Sequence, residues 1–184
     1  MNNPDYERQI QSWREQMGAS LRADDGWLAV AGLFWLREGV NTIGAHPSSD
    51  VVLPANSAPD RAGVFQLCGG RVAFNTQPGV RVTIHGEPIT AVTMQSNAAG
   101  TPTRLTLNAL DWQLIQYAER VAVRVWHRNN PARKNFAGRL WFPIDAAFRV
   151  TAHFVRHFVP RTLNIDTIVD GIADSSLNPG YVTL

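Results

Sequence analysis

Past Asp24-Asp25-Gly26 no second long helical period returns, and the apolar residues fall into short pieces separated by turn residues. This pattern constrains the fold more than any other property of the chain. Short apolar pieces bounded by Gly, Pro, Asn and Asp read as strands, and a long succession of them reads as a sandwich or barrel. The spacing predicts strands over Leu33 to Leu36, Val40 to Ile43, Asp50 to Leu53, Val64 to Cys68, Arg71 to Asn75, Val80 to Ile84 and Ile89 to Met94. Further strands are expected over Thr103 to Leu107, Trp112 to Tyr117, Val121 to His127, Arg139 to Phe142, Phe148 to Phe158, Leu163 to Val169 and Tyr181 to Leu184. Gly69-Gly70 marks a two-residue hairpin, because both central positions of a primed turn require positive φ, and His85-Gly86 is a weaker version of the same device.

One helix precedes the strands. Tyr6, Ile10, Trp13, Met17 and Leu21 recur at helical spacing and fall on one face, which predicts a helix from about residue 4 to 22 with its stripe packed against the sheet. Asn3 suits an N-cap and Pro4 the first turn. The fold class is therefore mainly β: an antiparallel sandwich or partly closed barrel with one N-terminal amphipathic helix.

A chain of 184 residues that is 45% hydrophobic is long enough for one good core, so residues 1–184 are expected to form a single globular unit. A composition shift at Ala118 to Arg120 suggests a subdivision, with the helix and a sandwich over 1–118 and an arginine-rich β layer over 119–184. Cys68 is the sole cysteine, so a disulfide within the chain and a four-cysteine zinc site are excluded; it reads as a small core residue. The longest apolar stretch, Trp27 to Leu36, is too short to span a bilayer, and Met1 to Arg8 has no signal-peptide pattern. A cytoplasmic location and no membrane partner are expected.

The formal charge is only +2, but its distribution is uneven. From Glu119 to Arg161 the chain carries eight arginines and Lys134, its sole lysine, against Glu119 and Asp145. Arg124, Trp126 and Arg128 share one strand parity and Val121, Val123 and Val125 the other. Arginine flanking an exposed tryptophan suits anion binding and ring stacking. His153 and His157 have the spacing of a helical zinc pair, yet the alternation from Phe148 to Phe154 is that of a strand. Two imidazoles four residues apart on a strand are about 13 Å apart, too far to share one ion. If the Arg124 and Phe148 strands pair, Arg124, Trp126, Arg149, His153 and His157 form one anion-binding patch.

A second polar cluster lies at His46, Ser48, Ser49 and Asp50. These are ingredients of acyl transfer, but a Pro-Ser-Ser-Asp loop without a nucleophile elbow reads first as an ordinary turn whose side chains bond their own backbone.

Two resemblances add to these readings. Gly26-Trp-Leu-Ala-Val-Ala-Gly-Leu-Phe-Trp-Leu-Arg-Glu-Gly39, Ile43-Gly44 and Asp50-Val-Val-Leu-Pro54, followed by Val121-Ala-Val-Arg-Val-Trp-His-Arg-Asn-Asn-Pro131, Phe136, Phe142-Pro143 and Ala152, resemble the bacterial family called domain of unknown function 1684. In that family the position of His127 is usually an aspartate. Its pattern also continues past Asn178-Pro179-Gly180, which implies a truncated or shortened member; the family brings no established activity. Residues 42–86 more weakly resemble a forkhead-associated (FHA) phosphopeptide-binding sandwich, through Thr42-Ile-Gly44, Asp50-Val-Val-Leu53 and Val82-Thr-Ile-His-Gly86. The chain has Ala45 where that module places an arginine and His85 where it places an asparagine, so the resemblance implies the fold more than the binding.

The leading expectation is a binding module for a small anionic or phosphorylated ligand, with no cofactor or metal and with nucleic acid not expected as a partner. The alternatives are a hydrolase using the His46 loop or the 149 to 157 strand, and a structural or interaction protein. The sequence leaves the oligomeric state open.

Overall fold

The computed structural model describes residues 4–166 and 173–184. By internal contacts the chain divides into two compact units, residues 16–139 and residues 1–15 with 140–184. The fold is mainly β with one long N-terminal helix, α1 (Pro4–Arg22), and among the described residues no barrel closes. Among those residues no helix is long and apolar enough to cross a membrane.

Residues 16–139 hold two sheets. β1 (Val30–Trp35), β11 (Arg120–His127), β10 (Leu110–Tyr117), β9 (Arg104–Leu107), β6 (Val82–Ile84) and β7 (Glu87–Ile89) lie side by side in that order. The second sheet runs β3 (Val51–Val52), β2 (Gly39–Gly44), β4 (Gly63–Cys68), β5 (Arg71–Thr76) and β8 (Ala91–Met94). All neighbours are antiparallel except the short β2–β3 pair. Alternation decides which side chains meet between the sheets. Along β4, Phe65 and Leu67 are buried while Gln66 and Cys68 are exposed. Cys68 is therefore a surface residue and not the small core residue expected where no nearby base marks a nucleophile, because it falls on the outward parity. The Phe74 ring of the second sheet meets Trp112 of the first at 5.9 Å and Phe65 at 5.1 Å, and all three are fully buried.

The turns follow the expected chemistry. Gly69 and Gly70 take φ of 55° and 79° between Cys68 and Arg71, and His85 and Gly86 take 51° and 89° between Ile84 and Glu87. Two further turns escaped the sequence reading, Asn108-Ala109 and Ala118-Glu119, each with a non-glycine residue at positive φ. The composition shift at Ala118 to Arg120 thus coincides with the tip of the β10–β11 hairpin.

The opening apolar run forms β1, a reversal, and β2. Asn41, fully buried, fastens that reversal: its Oδ1 accepts from Arg37 N–H at 2.9 Å, and its Nδ2 donates to the carbonyls of Arg37 at 2.7 Å and Gly39 at 3.2 Å. A buried amide is satisfied there on both sides, as burial demands. The end of α1 is held in the same unit. Arg133 of the short helix α2 (Pro131–Asn135) donates to the Arg22 carbonyl at 2.9 and 2.6 Å and pairs with Asp24 at 2.7 Å, giving the carbonyl end of α1 a cationic partner.

The other unit contains the first turns of α1, residues 140–149 and a hairpin of β12 (His153–Asp166) and β13 (Ala173–Thr183). No residue of α1 is buried. Its first apolar residues face residues 141–148 instead of a sheet: Trp13 meets Trp141 edge-on at 5.3 Å, and Arg14 donates to the Phe142 carbonyl at 2.8 Å. The expected Arg139 to Phe142 strand does not form, since this segment serves as packing surface for the helix. The expected Phe148 to Phe158 strand begins only at His153, after a single 3-10 turn at Ala146–Phe148 that Asp145 caps. The Leu163 strand continues β12 as far as Asp166, and its expected remainder, 167–169, lies outside the described residues, as does the Asn3 cap. Ile89 to Met94 divides at Thr90 because the chain there leaves one sheet for the other.

Candidate functional site

The outer face of the six-stranded sheet carries a line of alternating cations and rings. Register puts Arg124 opposite Leu33 of β1 and Gln113 of β10, and puts Tyr117 opposite Arg120. The Arg120 guanidinium lies 3.9 Å from the centre of the Trp35 ring, Trp35 meets Tyr117 at 6.0 Å, and Arg124 donates to the Tyr117 hydroxyl at 3.5 Å. Arg124 also lies 5.9 Å from the centre of the Trp126 ring, and Arg104 lies 5.2 Å from it. Each ring face is electron-rich and attracts the adjacent cation, so the Arg120 and Arg124 guanidinium groups are spaced and oriented without carboxylates.

Carboxylates enter at one end only. Asp111, 3% exposed, accepts from Arg128 at 2.7 Å, Arg104 at 3.4 Å and the Thr106 hydroxyl at 2.6 Å, and Asp25 reaches Arg104 at 3.3 Å. That end is neutralised and serves structure. At the other end neither Arg120 nor Arg124 has a carboxylate partner among the described residues.

The five residues expected to share a patch do not lie on one sheet. β11 is hydrogen-bonded along one edge to β1 and along the other to β10, and β12 pairs with β13, so the expected pairing of the Arg124 strand with the His153 strand does not occur. Arg124 has the outward orientation expected of it. Trp126 is only 4% exposed, because its neighbours cover the ring. Arg149 precedes β12 and lies over the Tyr6 ring at 5.4 Å, while His153 and His157 stand on the strand as their alternation predicted, His157 with its ring 5.6 Å from Tyr181. The sequence reading missed Trp35, Arg104, Tyr117 and Arg120. Folding Trp112 to Tyr117 and Val121 to His127 as one tight hairpin would have found two of them, since it sets Tyr117 opposite Arg120.

The His46 loop is a local turn. Ser49 N–H donates to the His46 carbonyl at 3.0 Å, and His46 Nδ1 lies 2.7 Å from Ser48 Oγ and accepts from Ser48 N–H at 3.2 Å. Asp50 faces away, toward Thr42 and Arg37. The backbone hydrogen bond from Thr42 is the largest influence on its carboxyl and holds its pKa below the ordinary 3.8; burial opposes this, and the Thr42 hydroxyl and Arg37 reinforce it. Among the described residues no carboxylate hydrogen-bonds to the His46 ring; its Nδ1 is held by Ser48 and not by the acid of a triad. An open cleft of about 540 Å³ lies beside the turn, lined by Thr42, His46, Ser48, Ser49, Asp60 and Arg61 among others.

No family model matches the chain and no curated protein matches it, so the resemblance to the domain of unknown function 1684 family rests on the quoted words alone. Among solved structures the chain is similar to several FHA domains. An FHA domain studied for phosphothreonine-dependent interactions aligns with a TM-score of 0.36 and 15% identity over 51% of this chain and 92% of its own. The FhaA FHA domain, complexed with the intracellular domain of another protein, aligns at 0.36 and 16% over 50% of this chain and 96% of its own. EmbR of Mycobacterium tuberculosis, in complex with a low affinity phosphopeptide, aligns at 0.33 and 16% over 67% of this chain but 31% of its own. These likenesses carry no residue-level correspondence.

Proposed function

We propose that the chain is a binding module for a small anionic or phosphorylated ligand, received on the outer face of the six-stranded sheet by Arg120 and Arg124. The observation that carries this reading is that both guanidinium groups are held by ring contacts and carry charge that no described carboxylate neutralises. A planar guanidinium offers paired N–H donors to a phosphate or carboxylate, and charge-assisted bonds of this kind are about twice as strong as neutral ones. Trp35 and Tyr117 stand between the two arginines and would stack against an aromatic or sugar portion of the ligand. Phenyl phosphate is the simplest compound with both parts. In a thermal melt of the whole chain, phenyl phosphate at about ten times its Kd should stabilise by ~1.4 kcal/mol. Arg124→Ala should remove the shift. Absence of any shift with phenyl phosphate, pyrophosphate and inorganic phosphate would exclude the reading.

A further inference from the structure

Residues 1–15 and 140–184 contain an open cavity of about 440 Å³, distinct from the arginine face in its residues and its chemistry. Its walls are apolar and largely aromatic: Tyr6 and Ile10 of α1 on one side, Phe142 and Phe148 on the other. This size and character are those of small-molecule sites, which combine an apolar lining with a few placed polar groups. Here the polar groups are Arg14 and Asp145. Their states differ. Asp145 accepts from Ala147 N–H at 2.8 Å and is occupied in starting the 3-10 turn. Arg14 is fixed in place, its Nη2 on the Phe142 carbonyl at 2.8 Å and its guanidinium 5.2 Å from the Trp141 ring centre. Its Nε is buried without a hydrogen-bond partner, and it forms no ion pair with any described carboxylate. A buried donor left unmade is costly, and an ionised acceptor is the group that best relieves it.

We propose that this cavity binds an amphipathic monoanion, a carboxylate on an aromatic or short aliphatic body, with the carboxylate at Arg14 and the body between Tyr6, Ile10, Phe142 and Phe148. The apolar walls select the body, and the guanidinium, which has no carboxylate partner among the described residues, selects the charge. A fully hydrated dianion such as inorganic phosphate fits these walls poorly, which separates this site from the arginine face.

The test is calorimetric titration of the full chain with 4-phenylbutyrate, its neutral analogue 4-phenylbutanol and its cationic analogue 4-phenylbutylamine. Titrated on an Arg124→Ala background, which removes the arginine face, the acid should bind at least tenfold more tightly than the alcohol; Arg14→Gln should reduce it to the level of the alcohol, and Ile10→Trp should block both by filling the cavity. Equal binding of acid and alcohol, tighter binding of the amine, or binding that survives Ile10→Trp would overturn the proposal. The unaltered chain provides a check that needs no variant to fold: 4-phenylbutyrate should shift the Ile10 methyl resonances, and an unmoved Ile10 at saturation would also overturn it.

Discussion

Asp50 and Thr42 hold each other through three hydrogen bonds: Asp50 Oδ2 accepts from the Thr42 backbone N–H at 2.8 Å and from its hydroxyl at 2.9 Å, while Asp50 N–H donates to Thr42 Oγ1 at 3.1 Å. The pair ties the residue just before β3 to β2, and Arg37 adds a cation to the other carboxylate oxygen. The ionised form is favoured in the fold, so the folded pKa lies below the unfolded 3.8. A depressed carboxyl contributes stability that is fully present above the unfolded pKa and is lost as pH falls through the folded one. Urea midpoints measured from about pH 6 downward should therefore fall below pH ~4. Asp50→Asn should be less stable at neutral pH and show a flatter acid limb.

Gly44 permits a close approach that no other residue allows. A Cβ there would lie 2.0 Å from the Asp60 carbonyl oxygen, and Ala45 and Ala62 on either side bond across the same gap, to the Pro59 and Ile43 carbonyls at 2.9 and 2.8 Å. Gly44→Ala should cost about 3 kcal/mol in chemical denaturation, the upper end of the usual range for an overpacked interior, because the atom it meets is backbone. It should also broaden the amide resonances of the His46 loop.

Asp111 is the buried counter-charge of Arg104 and Arg128. Asp111→Ala should lower stability by about 2–4 kcal/mol, reduced from the full cost of breaking a buried pair because both guanidinium groups are about a third exposed. Asp111→Asn keeps an acceptor for Thr106 and should lose less. Denaturant midpoints of the two variants would rank the charge against the hydrogen bond.

Arg120→Ala and Arg124→Ala remove groups that touch rings and a hydroxyl but no carboxylate. Each should change unliganded stability by no more than about 1 kcal/mol. If the anion reading holds, the phenyl phosphate shift should also shrink as ionic strength rises toward 0.15 M, where the screening length is about 8 Å. A shift indifferent to salt would argue for ring stacking alone.

Much of the architecture was legible because it is written in local chemistry. The five-position stripe from Tyr6 to Leu21 marked α1, and Gly69-Gly70 marked a turn that needs two positive φ values. What escaped was whatever depends on distant partners. Arg139 to Phe142 has the composition of a strand, but a strand exists only where another offers its edge, and α1 uses this segment instead. Trp126 has the parity of an exposed residue, yet burial there is decided by neighbours from other strands. The site was half legible for the same reason: alternation sets which way Arg124 points, but the pairing of β11 with β10 decides that Tyr117 and Arg120 stand beside it.

The pairing of β1 with β11 joins Phe34 to Val123 and Trp35 to Ala122. With synthesis at about 5–20 residues per second, the roughly ninety intervening residues leave β1 waiting several seconds for its partner. Hairpins such as β4–β5 close over two glycines and have no such wait. Contacts between remote segments also fold more slowly than local ones. During synthesis β4 and β5 would therefore be able to pair before β11 exists, and the apolar strand β1 would lack its partner in that interval.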